Sequence, residues 1–500
     1  MAVTSLQRWL HAPRARLVCA ALLGAALPLA YAPFDLWWLA PLLLAGLWAL
    51  WDGQNSRDAA WTGFVFGTAQ FLAGTYWLYI SIHVFGGAPL VLAVGLMFAV
   101  VLIMAAYFAL TGWLAARLAP GLGALRWWLV LPATWLVVEW LRGWLFSGFG
   151  WLALGYSQTD SPLGGWAPVG GLYLVSLAVL VSASALRVLA APGVGRFIAP
   201  LVLVAVWGGG ALFARVEFTT PVGEPVSIAL AQGSVPQDLK WAPEQFEATL
   251  QLYSGLTERA LDHDLIIWPE AAIPALAHQV DSYLHAIRGL AAEGGATVLL
   301  GILRYDFDLD QYENTLLALT DEPQYYLKHH LVPFGEYFPV PAWVRNWMRL
   351  MNLPYTDIAA GPANQPPLEV AGQRLAVSIC YEDLFGAKQL HYYPDATLLV
   401  NVSNDAWFGD SIAPHQHLQI ARLRAMESRR WMARSTNTGV SAMIDPFGAT
   451  PATSPQFETY LLSGEAQGRT GHTPYTRTGN APLVTLALFA LLACAWRRRP

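Results

Sequence analysis

The first 214 residues consist mainly of long uncharged stretches, a pattern that predicts membrane-spanning helices. A bilayer core requires roughly 20 apolar residues in a helix. The interval 59–116 contains no Asp, Glu, Lys or Arg and is long enough for two spans, and the run Gly86-Gly87-Ala88-Pro89 predicts a turn between them. Further spans are predicted at 17–34, 36–51, 126–146, 166–190, 197–214 and 478–496. The chain is therefore expected to contain seven spans, a polar domain and an eighth span.

Between 215 and 477 the pattern changes to short apolar runs that alternate with amphipathic stretches. The predicted strands are 226–231, 265–268, 297–303, 315–319, 374–379 and 397–402, and the predicted helices are 244–261, 282–292 and 417–434. This alternation indicates an α/β domain with a largely buried sheet. The predicted organisation is seven spans at 1–214, an α/β domain at 215–477, and the eighth span with a short tail at 478–500.

Composition narrows the class of protein. The chain is 55% hydrophobic and only 13% charged, whereas soluble proteins average about 25% charged residues. This excludes a disordered chain and an ordinary soluble globule, and the net charge of −5 gives no global case for nucleic-acid binding. The α/β part carries 29 acidic and 17 basic residues, so we expect any contact with lipid to use apolar surface rather than positive charge.

The distribution of arginine predicts the orientation in the membrane, because short cytoplasmic loops are enriched in Lys and Arg. With a cytoplasmic N-terminus, the short outside loops contain only Arg142. The inside segments contain Arg8, Arg14, Arg16, Arg57, Arg117, Arg126, Arg187, Arg196, Arg497, Arg498 and Arg499. Both termini are therefore predicted to be cytoplasmic and the α/β domain to lie outside. A cleavable signal peptide ending at Ala30-Tyr31-Ala32 is the alternative.

Two charged residues lie in a predicted span. Glu139 and Arg142 are three residues apart, a spacing that allows a structural pair on one helix face, although an intramembrane ionisable residue is also a functional candidate. A transporter with a sensory outer domain would require broken or repeated helices at the middle of the membrane. The spans are uniformly apolar, which argues against that class.

Cys380 is the only cysteine of the α/β part; Cys19 and Cys494 lie in predicted spans. A lone thiol in an oxidising compartment is either buried as a small apolar residue or used in chemistry. The run 374–379 is a strand pattern that ends at Cys380, and such a strand end exposes a side chain on a sharp turn. Backbone N–H groups at this turn would favour a thiolate and an oxyanion.

A cysteine nucleophile needs a base and a cation or donor for the oxyanion. Glu270 follows a buried strand and Pro269, and it is a candidate base unless it is only a loop residue. Lys328 is a candidate cation unless it is solvated surface, and the only acid in its segment is Glu336. Metal binding is the competing chemistry, but the histidine pairs have no second cysteine beside them; these pairs are His329 with His330 and His415 with His417. No metal is predicted.

The order Glu270, Lys328, Cys380 resembles the nitrilase superfamily, and with the membrane spans the whole chain resembles the apolipoprotein N-acyltransferase family. The similarity rests on the order of several strings, which are Trp268-Pro269-Glu270, Val332-Pro333-Phe334-Gly335-Glu336, Cys380-Tyr381-Glu382, 403–409, Arg424-Ala425-Met426-Glu427 and Asn437-Thr438-Gly439. This resemblance implies a nitrilase-like αββα sandwich outside an eight-span helical bundle, in the inner membrane of a bacterium with the catalytic domain in the periplasm.

The resemblance also implies the reaction. An acyl chain would pass from a phospholipid to the N-terminal α-amino group of a diacylglyceryl-cysteine lipoprotein, the last step of lipoprotein maturation, through a ping-pong thioester on Cys380. Glu270 would be the general base, with a pKa that burial raises toward neutral, and Lys328 would stabilise the oxyanion and favour the thiolate. Glu336, Tyr381 and Glu382 would support them. No cofactor is implied.

The substrate side follows from the physics of lipids. Each CH₂ group kept out of water is worth about 0.8 kcal/mol, so a long acyl chain does not leave the bilayer to reach a soluble enzyme. We therefore expect an apolar path to the site, lined by aromatic residues such as Trp151, Tyr156, Phe334 and Trp407. Trp241 is a lid or entry-loop candidate, or an interfacial anchor. A membrane-tethered amidase of the nitrilase type, in which water resolves the thioester, is the alternative function.

Overall fold

The computed structural model describes residues 12–120, 123–190, 193, 195–337 and 357–497. Arg8, Arg498 and Arg499, which were used for the orientation, lie outside the described residues. The chain forms two units. The helical unit contains the described residues up to Glu217, the segment Phe408–Gln419 and the residues from Thr473 onward. The α/β unit contains Phe218–Trp407 and Ile420–His472.

Helices make up most of the helical unit. They are α1 (Pro13–Ala26), α2 (Leu39–Trp51), α3 (Ser56–Gly74), α4 (Leu90–Leu118), α5 (Leu131–Arg142), α6 (Ala167–Leu189) and α7 (Gly195–Phe213), followed near the C-terminus by α11 (Pro474–Thr478) and α12 (Ala481–Trp496). The predicted turn at 86–89 lies between α3 and α4, where Pro89 is the N-cap residue of α4.

Four helices are long and apolar enough to cross a membrane, judged by length and composition among the described residues. They are Pro13–Ala30, Leu90–Leu118, Pro162–Leu189 and Gly195–Phe213. Two shorter apolar helices, Leu39–Trp51 and Ala481–Trp496, coincide with two other predicted spans. The N-terminal part is thus a set of apolar helices, and the count of eight spans stays a prediction.

Glycines allow three of these helices to approach each other closely. A Cβ atom on Gly24 of α1 would collide with the backbone of Phe66 in α3, and one on Gly63 would collide with the backbone of Phe108 in α4. Small residues at such points let helix backbones touch, which is the usual way that apolar helices associate in lipid.

The predicted pair between Glu139 and Arg142 in α5 is wrong. The Glu139 carboxylate accepts hydrogen bonds from Ser176 Oγ at 2.5 Å and from the backbone N–H of Leu154 at 3.1 Å. The Arg142 guanidinium donates to the carbonyl oxygens at Phe149 and Trp151. Each charge therefore satisfies backbone and hydroxyl groups where helices α5 and α6 meet the irregular segment after α5, because these groups would otherwise be buried without partners.

Two mixed sheets form the centre of the α/β unit. The first has the strand order β14-β2-β3-β4-β5-β6, with β7 paired to β5, and the second has the order β13-β12-β11-β10-β9-β8. The strands of the first sheet are β2 (Val226–Gln232), β3 (Leu265–Ile267), β4 (Thr297–Asp306), β5 (Gln311–Ala318), β6 (Gln324–Leu327), β7 (Ile358–Ala359) and β14 (Tyr460–Ala466). Strands β2, β3 and β4 are parallel neighbours.

The second sheet contains β8 (Leu368–Val370), β9 (Gln373–Ile379), β10 (Leu398–Ser403), β11 (Met432–Thr436), β12 (Ala442–Ile444) and β13 (Ala452–Thr453). Strands β9, β10 and β11 are parallel neighbours. A separate ribbon pairs β1 (Thr219–Pro221) with β15 (Arg469–Gly471). The two large sheets face each other, as the hydrogen bond from Ser435 Oγ of β11 to the carbonyl oxygen of Ile267 in β3 illustrates.

Helices α8 (Pro243–Glu258) and α9 (Asp281–Glu293) cover the first sheet. Their apolar residues, such as Tyr253, Leu256 and Ile287, share one buried core with Ile266, Val298 and other residues of the sheet. The predicted nitrilase-like sandwich of the C-terminal part agrees with this layering. The predicted helix 417–434 is wrong in its second half, since α10 spans Ala413–Ser428 and residues 432–436 form the buried strand β11.

Candidate active site

The ends of three strands from the two facing sheets place the three predicted catalytic side chains close to one another. Glu270 follows β3, Lys328 follows β6, and Cys380 follows β9 directly. The loop that carries Glu270 lies against Gly301 of β4, where an added Cβ would come within 2.5 Å of Glu270 Cα. Glycine at 301 is therefore what allows the Glu270 loop to lie directly on the neighbouring strand.

Lys328 lies between two carboxylates. Its Nζ donates to Glu270 Oε1 at 3.0 Å and to Glu336 Oε1 at 2.9 Å, and the lysine side chain is 1% exposed. Asn314 of β5 donates its amide to the same two oxygens, at 2.8 and 2.9 Å. The interpretation of Lys328 as solvated surface, and of Glu270 as an ordinary loop residue, is therefore wrong.

Charge pairing dominates the ionisation of this cluster. Burial alone would raise the pKa of Glu270, but the Lys328 ammonium and the hydrogen bonds from Asn314, Lys328 and the Asn404 backbone outweigh it, so the pKa lies below its ordinary value of 4.5. Burial opposes the charge of Lys328, yet Glu270 and Glu336 raise its pKa well above 10.5. The expectation that burial raises the pKa of Glu270 toward neutral is therefore wrong.

The nucleophile candidate lies on a sharp turn. Cys380 has φ +52°, in the left-handed region that costs a non-glycine residue roughly 1–2 kcal/mol, and it begins a 3₁₀ turn, Cys380–Leu384. The Glu382 carboxylate stabilises this turn by accepting the backbone N–H of Ile379 at 2.8 Å. It also accepts hydrogen bonds from the Tyr326 hydroxyl and the backbone N–H of His329.

Cys380 is a neutral thiol in the resting site. Burial and the Glu270 carboxylate raise the pKa of Cys380 well above 9.0, and the opposing effects of Lys328 and of a hydrogen bond with Ser403 do not compensate. Lys328 thus favours the thiolate, as predicted, but does not produce it. The arrangement is an ionised carboxylate, an ammonium and a protonated thiol, which can transfer the thiol proton to Glu270 when sulfur attacks an electrophile.

The other predicted residues occupy different positions. Tyr381 is buried and packs edge-to-face on Phe385. Trp241 is 52% exposed, Phe334 is 58% exposed and Trp407 is 39% exposed, so three large apolar side chains of the α/β unit are available for contacts. Trp151 and Tyr156 are buried in the helical unit, where Trp151 contacts Trp77 and Phe408; their predicted place on a lipid path stays a prediction.

Sequence reasoning missed several residues that build the site. Asn314 bridges both carboxylates, and the Asn404 backbone N–H donates to Glu270 Oε2 at 2.9 Å. Ser403 donates to Asp405 Oδ1 at 2.7 Å. Polar residues at buried positions of strands, such as Asn314 in β5 and Ser403 in β10, were the available signal, because buried polar groups require partners.

Lys240 is a second buried lysine beside the cluster. Its Nζ donates to the carbonyl oxygen of Glu270 at 3.4 Å, and burial lowers its pKa to about 8, with Glu270 opposing the shift. Two neighbouring histidines contact protein groups: His329 Nδ1 lies 2.8 Å from the carbonyl oxygen of Gly361, and His330 Nδ1 lies 2.6 Å from Lys388 Nζ.

The fold and this cluster of side chains define the class of the protein. Residues 227–475 match the carbon-nitrogen hydrolase family, and residues 23–185 match the apolipoprotein N-acyltransferase N-terminal domain. A nitrilase-superfamily protein of Saccharomyces cerevisiae, aligned with 50% of this chain and 92% of its own, has 18% identity and a TM-score of 0.38. The family match shows that the C-terminal part is a carbon-nitrogen hydrolase domain.

Relatives match the chain over nearly its full length. It is 43% identical to the apolipoprotein N-acyltransferase of Methylococcus capsulatus over 95% of both chains. It is also 43% identical to that of Chromobacterium violaceum over 97% of this chain and 94% of the relative. The chain belongs to the apolipoprotein N-acyltransferase family.

Proposed function

We propose that this protein is an acyltransferase that moves an acyl chain from a phospholipid to the N-terminal α-amino group of the diacylglyceryl-cysteine of apolipoproteins. The observation that carries the proposal is the cluster of Glu270, Lys328 and Cys380, in a chain whose full-length relatives are named apolipoprotein N-acyltransferases. An acyl donor and an amine acceptor suit a nucleophile that forms a thioester.

In the first half of the reaction, Glu270 accepts the thiol proton as Cys380 Sγ attacks the ester carbonyl carbon. A C–S bond forms, and the carbonyl oxygen becomes an oxyanion that the Lys328 ammonium stabilises. The C–O bond then breaks, and the departing alkoxide takes the proton from Glu270. The products are a lysophospholipid and an acyl thioester on Cys380, with Glu270 again ionised.

In the second half, Glu270 accepts a proton from the incoming ammonium, and the free amine attacks the thioester carbon. The C–N bond forms and the C–S bond breaks. The sulfur leaves with the second proton of the nitrogen, and Glu270 releases its proton to solvent. The transfer thus yields an amide, a regenerated thiol and one proton.

The supporting residues act through the trio. Glu336 is the second carboxylate that holds Lys328, so the ammonium stays charged and aligned. Glu382 is a positioning residue, because its hydrogen bond to the Ile379 N–H lies one residue before the nucleophile. Tyr381 continues the same turn and packs beside it.

The membrane setting belongs to the proposal. We place the protein in the bacterial inner membrane with eight spans (seven at 1–214 and one at 478–496), with both termini cytoplasmic and a periplasmic catalytic domain at 215–477. Trp241, Phe334 and Trp407 would contact the acyl chain or cover the site, since exposed aromatic side chains of this size are typical of binding surfaces. The partners are the phospholipid donor, the lipoprotein acceptor and the bilayer.

Intact-mass measurement of the purified protein after exposure to phospholipid tests this proposal. We expect one acyl adduct that maps to the Cys380 peptide, is released by hydroxylamine and is absent in Cys380→Ala and Cys380→Ser. An undiminished adduct in Cys380→Ala would contradict the nucleophile. Mass spectra of lipoprotein N-termini in a depletion strain test the acceptor: unchanged triacylation would instead favour a hydrolase that uses the same trio.

A further inference from the structure

A second cavity lies beside the catalytic turn in the α/β unit. Its volume is about 190 Å³, and its walls come from residues 326, 329–330, 362–365, 377–378, 382, 385, 387–389 and 391–392. None of the residues that line it belongs to the trio of Glu270, Lys328 and Cys380. The cavity therefore lies beside the trio and shares Glu382 with the groups that support the catalytic turn.

Two hydrogen-bond donors in this cavity can form further hydrogen bonds, since the described residues do not use all of their N–H groups. Gln389 is only 9% exposed, and its Nε2 is buried without a hydrogen-bond partner. Lys388 Nζ contacts His330 Nδ1 at 2.6 Å and lies over the ring of Phe385. In the described part of the chain, no carboxylate lies within ion-pair distance of this ammonium.

The neighbouring polar groups are already satisfied. Gln365 uses its amide on the backbone of Leu327 and Pro362, and both ring nitrogens of His391 lie on carbonyl oxygens. The Glu382 carboxylate, the negative group of the cavity wall, accepts hydrogen bonds from a hydroxyl and three backbone N–H groups. The groups of the cavity that can still form hydrogen bonds are thus donors, and one of them is cationic.

A donor-rich cavity with an ammonium at its rim complements an acceptor-rich anion. Buried donors without partners are costly, and charged acceptors make the strongest hydrogen bonds. A volume of about 190 Å³ accommodates a tetrahedral oxyanion.

We propose that this cavity is a binding site for a phosphate-class oxyanion, held by Lys388 and Gln389. Free phosphate and the phosphate of a lipid headgroup share this chemistry. The site lies next to the groups that stabilise the catalytic turn, because the backbone N–H of His330, whose ring contacts Lys388, donates to Glu382 at 2.9 Å. Binding here does not depend on acyl transfer.

The chain offers a site-specific test, because its only lysines are Lys240, Lys328 and Lys388, and the first two are buried. We would label the full-length protein in detergent with an amine-reactive reagent and measure each lysine peptide by mass spectrometry. Burial lowers the pKa of Lys388, with Glu382 opposing the shift, which favours its reaction. Continued protection of Lys240 and Lys328 reports that each variant is folded.

Inorganic phosphate should slow labelling of Lys388 about tenfold at ten times its dissociation constant, whereas chloride at equal ionic strength should not. Gln389→Ala should remove this protection, and Gln251→Ala, an exposed glutamine of α8, should retain it. Protection by glycerophosphoethanolamine as well would identify a headgroup phosphate as a ligand, and protection by inorganic phosphate alone would identify the free ion. No protection beyond that of chloride, or full protection in Gln389→Ala, would overturn the proposal.

Discussion

The ionisation of three side chains decides what the candidate site does at rest. Lys328 is paired with two carboxylates at 2.9–3.0 Å, and this pairing keeps Glu270 ionised although it is buried. The same negative charge, with burial, keeps Cys380 protonated. At rest the proton is therefore on the Cys380 sulfur, and the negative charge is on the Glu270 carboxylate. This protects the thiol from oxidation, since the thiolate is the reactive form.

This distribution of protons predicts the pH dependence of acylation. The pKa of Glu270 is depressed, so this carboxylate becomes protonated only as the pH falls below the ordinary glutamate pKa of 4.5. The acylation activity and the contribution of Glu270 to stability are lost over that same range. The raised pKa of Cys380 lies above 9.0. We therefore expect the rate of acyl-enzyme formation, measured by intact mass with a non-titrating ester donor, to be flat from about pH 5.5 to 7.5, which lies below the pKa of about 8 of Lys240 beside Glu270. A limb centred near pH 7 would contradict these protonation states.

The two glutamates at Lys328 should differ in their effects. Glu270→Gln removes the base and should slow acyl-enzyme formation by about 10²–10⁴-fold. Glu336→Gln removes one charge-assisted hydrogen bond, about 1.5–3 kcal/mol, so we expect a loss of about 10- to 150-fold. Rapid-quench mass spectrometry compares both with Glu258→Gln, an exposed glutamate of α8 that should behave as wild type. Equal losses in the two variants would argue against distinct roles.

At the residue scale, the sequence predicted which side chains meet but not their charge states. That Glu270, Lys328 and Cys380 each follow a strand was readable from the sequence, whereas the two facing sheets that bring these strand ends together were not. The pKa of Glu270 was not readable, because it depends on Asn314 and the Asn404 backbone, two groups that come from other strands. Lys240 was missed because its partner is a backbone carbonyl, which leaves no pattern in the sequence.

Among the elements, strand β4 has a role beyond hydrogen bonding. Gly301 leaves space for the Glu270 loop, and the backbone N–H of Gly301 donates to the carbonyl oxygen of Pro269 at 3.2 Å. A side chain at 301 would push the catalytic loop off the strand. The position of the base is thus set by a residue that has no side chain of its own.

Substitution of this glycine is therefore expected to be destabilising. Gly301→Ala should cost about 1–3 kcal/mol, as overpacking typically does, and lower acylation because Glu270 shifts. Gly289→Ala, in α9 where an added Cβ meets nothing within 4 Å, should stabilise by up to about 1 kcal/mol through helix propensity. The midpoint of thermal inactivation measures both. Equal midpoints for the two variants would mean that the loop can move away freely.

The elements whose positions were predicted well are those in which apolar residues recur with a regular period. The six predicted strands of the α/β part each correspond to one of β2, β3, β4, β5, β9 and β10. The error at 417–434 arose because β11 is polar for a buried strand: Arg434 is fully buried and paired with Asp405 and Asp383. Polar residues satisfied by buried partners look like a helix surface in the sequence, and only tertiary contacts reveal the strand.

At the scale of the whole molecule, the chain passes between its two units more often than the sequence suggested. The predicted α/β domain was continuous from 215 to 477, whereas Phe408–Gln419 belongs to the helical unit. There Trp151 Nε1 donates to Gln416 Oε1 at 2.6 Å, and Phe408 packs on Trp77. The segment contains no unusual run of apolar residues, so hydropathy could not assign it to the helices.

The orientation of the chain in the membrane is predicted from the distribution of charge alone. Arginine near the ends of spans resists translocation, so the exposed first turn of α3 at Arg57 should be cytoplasmic and the exposed loop at Asp308 should be periplasmic. In a background of Cys19→Ala, Cys380→Ala and Cys494→Ala, we would introduce Arg57→Cys or Asp308→Cys. A membrane-impermeant maleimide added to spheroplasts should label the cysteine at 308 at once, and the one at 57 only after permeabilisation. Because both positions are exposed, poor access within the protein would not explain a missing label. Labelling of position 57 in intact spheroplasts would place this turn outside and remove the physical basis for a periplasmic catalytic domain.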